Sequence, residues 1–159
     1  MRTAYVETTI PSFFAETRET AAAIAWRDAT RQWWPLAMRR YRLVTSRFEL
    51  DELNEAPEPK RSSGLRLLRD VEVLDEPTEL ADVVSFYIEH RLMPADATGD
   101  AVHLAIATLA RVDFLVTWNL RHLANANKFR HVEVLNARLG LPTPLMVTPY
   151  ALLAEDADD

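Results

Sequence analysis

The alternation of β-rich and helical stretches constrains the fold of this chain more than any other feature of its sequence. Short runs rich in β-branched and aromatic residues are separated by longer stretches with helical apolar spacing. Such repetition of strand and helix is typical of a parallel sheet with helices on both faces. We therefore expect an α/β fold with a parallel sheet of about five short strands. The predicted strands are "TAYVE" (3–7), "YRLVTS" (41–46), "VEVLD" (71–75), "DFLVTW" (113–118) and "LMVT" (145–148).

The length and composition favour one globular domain. The chain has 159 residues, of which 48% are hydrophobic and 26% charged, so it can bury a proper core. The most loop-like segment, "APEPKRSSG" (56–64), is too short to separate two domains. We expect a single domain over residues 1–154, followed by an acidic tail, "EDADD" (155–159), that is expected to be disordered.

The lack of cysteine and of long apolar runs limits the compartment and the chemistry. With no cysteine, the chain can form no disulfide framework, thiolate nucleophile or cysteine-ligated zinc site. The start, "MRTAYVETTI" (1–10), lacks the apolar core of a signal peptide. No run reaches the roughly eighteen apolar residues of a membrane span. The sequence therefore predicts a cytoplasmic protein with no membrane partner.

The charge is unevenly distributed along the chain. A net charge of −6 argues against phosphate binding, but four of the acids lie in the last five residues. Two stretches are basic: residues 26–47 hold six arginines and one acid, and residues 118–131 hold three basic residues and no acid. Either stretch alone is more often a solvated helix face than a nucleic-acid site. Both interpretations stay open at this point.

Acidic residues follow the first two predicted strands. In "AYVETTIPSF" (4–13), Glu7 lies where a strand ends and a helix begins, a common way for α/β sheets to present a charge at their carboxyl edge. Ser46 and Glu49 match the S-x-x-E capping box, which gives Glu49 a structural role. Glu52 lies one turn further, beyond the reach of that box. Its acidic neighbours indicate a nearby cation, and an exposed helix acid is the alternative.

The segment "DAVHLAIATLARVD" (100–113) predicts a largely buried helix with one narrow polar stripe. Asp100 lies in its first turn, where the helix dipole stabilises a carboxylate whatever the function. His103 is predicted to be a half-buried, hydrogen-bonded histidine rather than a ligand. Asp96, in the preceding loop, is a further acid. Asn119 follows the fourth strand, where it would serve as a turn residue or join the acids in one shared crevice.

Three stretches together resemble the PIN-domain family, and most closely its VapC-type toxins of bacterial toxin–antitoxin pairs. The resemblance spans nearly the whole chain and implies a PIN-like three-layer sandwich. The stretches are "YVETTIPSF" (5–13), "TSRFELDEL" (45–53) and "GDAVHLAIATLARVDFLVTWNLRHLAN" (99–125). The positions of the family's four acids fall on Glu7, Glu52, Asp100 and Asn119.

Two of these positions depart from the family pattern. Glu7 stands where many relatives carry Asp, which keeps the charge but moves it out by one methylene. Asn119 stands where Asp is common, so the set has three negative charges and one neutral oxygen. An amide oxygen can bind Mg²⁺ or orient a water molecule, but it cannot act as a base.

The resemblance implies an endoribonuclease that hydrolyses RNA phosphodiester bonds with Mg²⁺ or Mn²⁺. Glu7 and Asp100 are the expected direct metal ligands. Glu52 is expected to bind a second ion or to position the attacking water, and Asn119 to complete the shell. Basic residues just beyond the fourth position are expected to hold the RNA backbone. These substrate-binding residues are Arg121, Lys128 and Arg130.

Other enzyme classes fit the sequence less well. It contains no phosphate-binding G-x-x-x-x-G-K-[ST] loop, no G-x-S-x-G elbow and no H-E-x-x-H helix. A phosphatase with a phosphoaspartate intermediate would need Asp where Glu7 stands. The main alternative is a PIN-like RNA-binding or protein-interaction module whose metal site is too weak to cleave RNA, and Asn119 favours it.

A protein partner is expected under either interpretation. The helix predicted from "AAAIAWRDATRQWW" (21–34) contains Trp26, Trp33 and Trp34, more tryptophan than one helix face usually buries. We therefore expect a groove for an antitoxin or for the second subunit of a homodimer. Pro35, directly after these residues, is expected to kink or end the helix.

Overall fold

A computed structural model describes residues 1–156 and contains one five-stranded sheet. All five predicted strands are present, each within two residues of its predicted limits, because their β-branched and aromatic residues suit a buried sheet. The strands are β1 (Thr3–Val6), β2 (Arg42–Ser46), β3 (Glu72–Leu74), β4 (Phe114–Val116) and β5 (Leu145–Val147).

The sheet is parallel throughout, and its order is β3-β2-β1-β4-β5. In the central strand, Tyr5 is in register with Val44 of β2 on one side and with Leu115 of β4 on the other. From β1 the sheet extends through β2 to β3 on one side, and β4 and β5 are then added on the other side of β1. The strand order therefore reverses between β1 and β4, and an open α/β sheet has its binding crevice at the carboxyl ends of two such strands.

Helices fill the connections between the strands, as the sequence predicts. Pro35 was expected to kink or end the second helix. The helix continues past Pro35 to Arg40, so Pro35 does not end it. A short 3₁₀ turn, Ala95–Ala97, precedes the sixth helix. The helices are α1 (Thr9–Phe14), α2 (Ala21–Arg40), α3 (Arg47–Asn54), α4 (Lys60–Leu67), α5 (Leu80–Glu89), α6 (Thr98–Leu109), α7 (Ala126–Arg138) and α8 (Pro149–Asp156).

The core has two layers, one on each face of the sheet, since side chains alternate along each strand. In β1, Ala4 and Val6 pack with α1, α2 and α8, whereas Tyr5 packs with α5, α6 and α7. All three side chains are fully buried. This arrangement confirms the predicted α/β fold with helices on both faces of a parallel sheet.

The tryptophans of α2 pack inside the chain. Trp33 and Trp34 belong to the core layer that contains Ala4 and Val6 of β1. Trp26 stacks on Trp118 with ring centroids 4.9 Å apart, and Phe13 packs against Trp26 edge to face. Trp33 and Trp34 are therefore buried within the chain, and Phe13 and Trp118 cover part of Trp26, whereas a groove for an antitoxin or a second subunit stays a prediction.

The two ends of the chain bear on the remaining predictions. None of the helices within residues 1–156 is both long enough and apolar enough to span a membrane. Helix α8 continues to Asp156, so the predicted domain limit at residue 154 falls inside it. The remainder of the predicted acidic tail, residues 157–159, lies outside the described residues.

Candidate functional site

Glu7 lies at the point where the strand order reverses. It follows β1 directly, and its side chain is buried although it is a carboxylate. Its Oε2 accepts hydrogen bonds from the Thr9 backbone N–H (3.0 Å), the Thr9 hydroxyl (2.6 Å) and the Thr117 hydroxyl (2.7 Å). Three donors on one oxygen offset the cost of burying this carboxylate.

The same threonines link Glu7 to the turn that follows β4. The backbone N–H of Trp118 donates to the Thr9 hydroxyl at 2.7 Å, and that of Asn119 donates to the Thr117 hydroxyl at 2.9 Å. Each hydroxyl thus accepts a hydrogen bond from the turn and donates one to Glu7. The sequence analysis missed this role for Thr9, although the two threonines directly after Glu7 were a visible signal.

The second carboxylate of the site is Glu52, on α3. Its Oε1 accepts hydrogen bonds from the Thr8 hydroxyl (2.7 Å) and lies 2.5 Å from Nε2 of His103. Burial raises the pKa of Glu52, but the contacts with His103 and Thr8 lower it by more, so the pKa lies below the ordinary value. Glu52 is therefore ionised at neutral pH.

His103 is more buried than the sequence analysis predicted. The residue is 1% exposed and hydrogen-bonds through both ring nitrogens, with Nδ1 2.8 Å from the Tyr5 hydroxyl. The prediction that His103 is a hydrogen-bonded residue is confirmed. It contacts one of the proposed site acids directly, which sequence spacing alone did not indicate.

Glu49 forms half of the predicted capping box. The Ser46 hydroxyl accepts from the Glu49 backbone N–H at 3.1 Å, as the motif predicts. The Glu49 side chain turns inward instead, where Oε2 accepts from the Thr45 hydroxyl at 2.7 Å and Oε1 has no partner. Burial, with smaller contributions from Glu7 and Glu52, raises the pKa of Glu49 well above its ordinary value.

Asp100 lies in the first turn of α6, as predicted, and is half-buried. Among the described residues its carboxylate has no hydrogen bond or ion pair. Its neighbour Gly99 lies against the other acid of the site, since a Cβ added there would be 3.4 Å from Oε2 of Glu52. Asp96 is exposed in the preceding 3₁₀ turn. The start of α6 thus lies against Glu52 at Gly99, the residue before Asp100.

Asn119 serves the turn after β4. Its Oδ1 accepts from the backbone N–H of His122 at 2.9 Å, which is the turn role that an asparagine commonly has at such a position. Its own backbone N–H is tied to Thr117. Asn119 therefore lies at the predicted edge of the sheet, but its side-chain oxygen already has a structural partner.

The three predicted RNA-binding residues differ in availability. Arg121 and Arg130 are exposed. Lys128 is half-buried, and its Nζ donates to the Leu92 carbonyl at 3.1 Å and lies 3.3 Å from Nδ1 of His122. The two arginines are therefore the freer candidates for a phosphate contact.

Hydrogen bonds link the surroundings of Glu7 to the turn after β4 and to Glu52, but the predicted site residues do not form a complete ion site. Thr117 connects the ends of β1 and β4, and Thr8 connects the end of β1 to Glu52. Within residues 1–156, however, no group of three or more His, Asp or Glu side chains is arranged to hold a single metal ion. The assignment of Glu7, Glu52 and Asp100 as metal ligands stays a prediction.

Comparison with known proteins supports the fold. No family model and no curated protein matches the sequence. The structure is similar to one described as "Crystal structure of VapBC2 from Rickettsia felis bound to a DNA fragment from their promoter", with a TM-score of 0.61 and 13% sequence identity. The similarity covers 92% of this chain and 98% of the matched chain. The predicted PIN-like α/β fold is confirmed at the level of the fold.

Proposed function

We propose that the chain is a Mg²⁺- or Mn²⁺-dependent endoribonuclease and the toxin of a bacterial toxin–antitoxin pair. One observation carries the proposal: Glu7 directly after β1, Glu52 hydrogen-bonded to the adjacent Thr8, and Asp100 at the start of α6 each have an oxygen without a partner among the described residues. Oε1 of Glu7, Oε2 of Glu52 and the Asp100 carboxylate are these groups. The likeness to a solved VapBC2 structure supports the same family of functions.

The chemistry of these groups fits a hard divalent cation. Carboxylate oxygens are preferred ligands of Mg²⁺ and Mn²⁺, and nearby carboxylates destabilise one another without a cation. No three side chains are arranged around a common point in residues 1–156, so binding of one ion by all three would require a movement that the unpartnered Asp100 carboxylate can make while Glu7 and Glu52 keep their hydrogen bonds. When bound, such an ion lowers the pKa of a water molecule and neutralises charge on the phosphate.

The chain's own residues would divide the remaining tasks. Glu7 is held by its Oε2, so only Oε1 is offered to the crevice. Glu52 is likewise held by Oε1 and offers Oε2. We propose Asn119 as an orienting group that acts through the turn it stabilises, and Arg121 and Arg130 as contacts to the RNA backbone.

An RNA cleavage assay with Mg²⁺ or Mn²⁺ and a chelator control tests the proposal. We expect Glu7→Gln, Glu52→Gln and Asp100→Asn each to reduce the cleavage rate by about 100-fold or more, since each removes a proposed ligand. Asp51→Asn is the matched control, because Asp51 is an exposed acid beside Glu52 on the same helix. Equal rates in wild type and in the three variants would end the nuclease proposal.

The alternative is a PIN-like RNA-binding or protein-interaction module that does not cleave. The hydrogen bond from His122 to the Asn119 oxygen supports this alternative, because that oxygen is already engaged in a turn. RNA binding that is unaffected by a chelator, without cleavage under any divalent ion, would favour it.

We also propose a cognate antitoxin and a homodimer as assemblies of this chain. The similar solved structure is a VapBC2 complex with a promoter DNA fragment, which supports pairing with a second protein. A small DNA-binding protein encoded in the neighbouring open reading frame is the expected partner. Its absence, together with no complex on co-purification, would contradict the pairing.

A further inference from the structure

Three buried side chains form a path of hydrogen bonds that ends on Glu52. The Glu49 backbone N–H donates to Oγ of Ser46 at 3.1 Å, and Oγ of Ser46 lies 2.7 Å from the Tyr5 hydroxyl. That hydroxyl lies 2.8 Å from Nδ1 of His103, whose Nε2 lies 2.5 Å from Oε1 of Glu52. The path starts and ends on α3 and passes through the end of β2, β1 and α6.

The direction of these hydrogen bonds follows from counting hydrogens. Ser46 has two hydrogen-bond partners among the described residues, and one of them, the Glu49 N–H, is a donor. Among the described residues the Tyr5 oxygen is the one partner of Ser46 that can accept its hydrogen, so the arrangement in which every hydroxyl hydrogen has a partner points it there. The Tyr5 hydrogen is then left for Nδ1 of His103. With Nδ1 as an acceptor, the ring hydrogen lies on Nε2 and points to the Glu52 carboxylate.

The packing around the imidazole keeps it in this orientation. Phe48 contacts the ring edge to face with centroids 5.1 Å apart, and the Tyr5 ring lies at 5.8 Å. The His103 side chain is 2% exposed. A second donor, the Thr8 hydroxyl, also points at Oε1 of Glu52. Oε1 is therefore fixed by two donors, and Oε2 is left facing Gly99 at the start of α6.

We propose that His103, oriented by Tyr5 and Ser46, is a positioning residue that fixes the Glu52 carboxylate with Oε2 turned toward the start of α6. This inference deepens the proposed function and rests on it only for what Glu52 binds. His103 does not itself reach the crevice, because both of its nitrogens are engaged. Its role is to orient, as hydrogen-bonded neighbours orient the ligands of metal sites.

The first test is spectroscopic and needs neither a metal nor a variant. ¹⁵N-labelled protein is treated with chelator at neutral pH, and the two ring nitrogens of His103 are assigned by long-range ¹H–¹⁵N correlation. We expect an unprotonated Nδ1 and a protonated Nε2. A hydrogen on Nδ1, in either the other tautomer or the doubly protonated ring, would overturn the inference.

The second test measures the consequence for ion binding. Tyr5→Phe removes the hydroxyl that orients His103, and we expect it to weaken Mn²⁺ binding about 10-fold. Tyr87→Phe is the matched control, since Tyr87 is a buried tyrosine whose hydroxyl is hydrogen-bonded to Thr108 and Asn136 rather than to His103 or Glu52. The control is expected to leave the Mn²⁺ dissociation constant unchanged. Equal Mn²⁺ affinity in Tyr5→Phe and wild type would contradict the positioning role.

Two substitutions of His103 distinguish a role in orienting Glu52 from a role in packing alone. Gln can place an amide N–H near the position of Nε2, so His103→Gln should keep much of the Mn²⁺ affinity. Asn is too short to do so, and His103→Asn should lose about 10-fold. If the two variants bind Mn²⁺ equally, the positioning role is contradicted. If wild type binds no Mn²⁺ but has the expected tautomer, the proposed function fails while the orientation of Glu52 by His103 stands.

Discussion

Two buried polar networks meet α6, and they end differently. Near its start, His103 joins the Tyr5 hydroxyl to Glu52, a carboxylate that is half-exposed at the crevice. Near its end, Thr108 and Asn136 hold the Tyr87 hydroxyl. We call them the Tyr5 network and the Tyr87 network.

The Tyr87 network is closed within the protein. The Tyr87 hydroxyl lies 2.5 Å from Oδ1 of Asn136 and 3.3 Å from Oγ1 of Thr108. The Asn136 amide donates in turn to the hydroxyls of Thr108 and Thr143. None of these groups is a carboxylate, and their hydrogen bonds join α5, α6 and α7. A closed network stabilises packing, whereas a network that ends on a charged group at an opening also orients that group.

The largest expected difference between the two networks comes from substitution of their central residues, Asn136 and His103. Asn136→Ala removes partners of Tyr87, Thr108 and Thr143, so we expect a loss of about 2–4 kcal/mol in the free energy of unfolding. Urea denaturation measures the loss, and Mn²⁺ affinity should not change. His103→Ala should cost a comparable amount and also weaken Mn²⁺ binding about 10-fold or more. If Asn136→Ala weakens Mn²⁺ binding as much as His103→Ala does, the proposed difference between the two networks is contradicted.

A smaller effect is expected at the ends of the networks. Thr8→Val removes a donor to Glu52, and Thr143→Val removes an acceptor of the Asn136 amide. Each should lower the free energy of unfolding by about 1 kcal/mol. Calorimetric titration should show weaker Mn²⁺ binding for Thr8→Val alone. The same Mn²⁺ dissociation constant in both variants would show that Thr8 has no part in orienting Glu52.

The smallest expected effect is on stability at alkaline pH, where the tyrosines of the two networks are expected to behave alike. Burial raises the pKa of Tyr87 to about 12, and it raises the pKa of Tyr5 well above its ordinary value. The unfolded chain ionises tyrosine near pH 10, so the stability linked to each phenol is full below about pH 10 and is lost as the pH rises toward the folded pKa.

Unfolding experiments across this alkaline range provide the measurement. Tyr5→Phe and Tyr87→Phe should each make the decline of stability above about pH 10 less steep than in wild type. A slope unchanged by both substitutions would show that these phenols ionise equally in the folded and unfolded chains. A change in only one variant would mean that the two hydroxyls are not equally sheltered.

Much of the fold was predictable because it depends on local patterns. The β-rich runs gave all five strands, and the buried segment after Asp100 gave α6. Pro35 inside α2 and the internal packing of Trp26 were not predictable, since neighbouring elements decide both. A pattern within one segment says little about which distant residue covers it.

The site was predictable only in part. The position of Glu7 directly after β1 and that of Asp100 in the first turn of α6 followed from local patterns in the sequence. The hydrogen bonds that hold Glu7 through Thr117, or Glu52 through His103, join residues far apart in the chain. No spacing rule reports them, because they depend on how β4 and α6 are placed against β1.

The most direct test of the central claim is a crystal structure with Mn²⁺, using its anomalous scattering to locate the ion. We predict one peak in contact with carboxylate oxygens of Glu7, Glu52 and Asp100, at the edge between β1 and β4. A crystal at saturating Mn²⁺ with no peak there, or with a peak that contacts none of these carboxylates, would contradict the account.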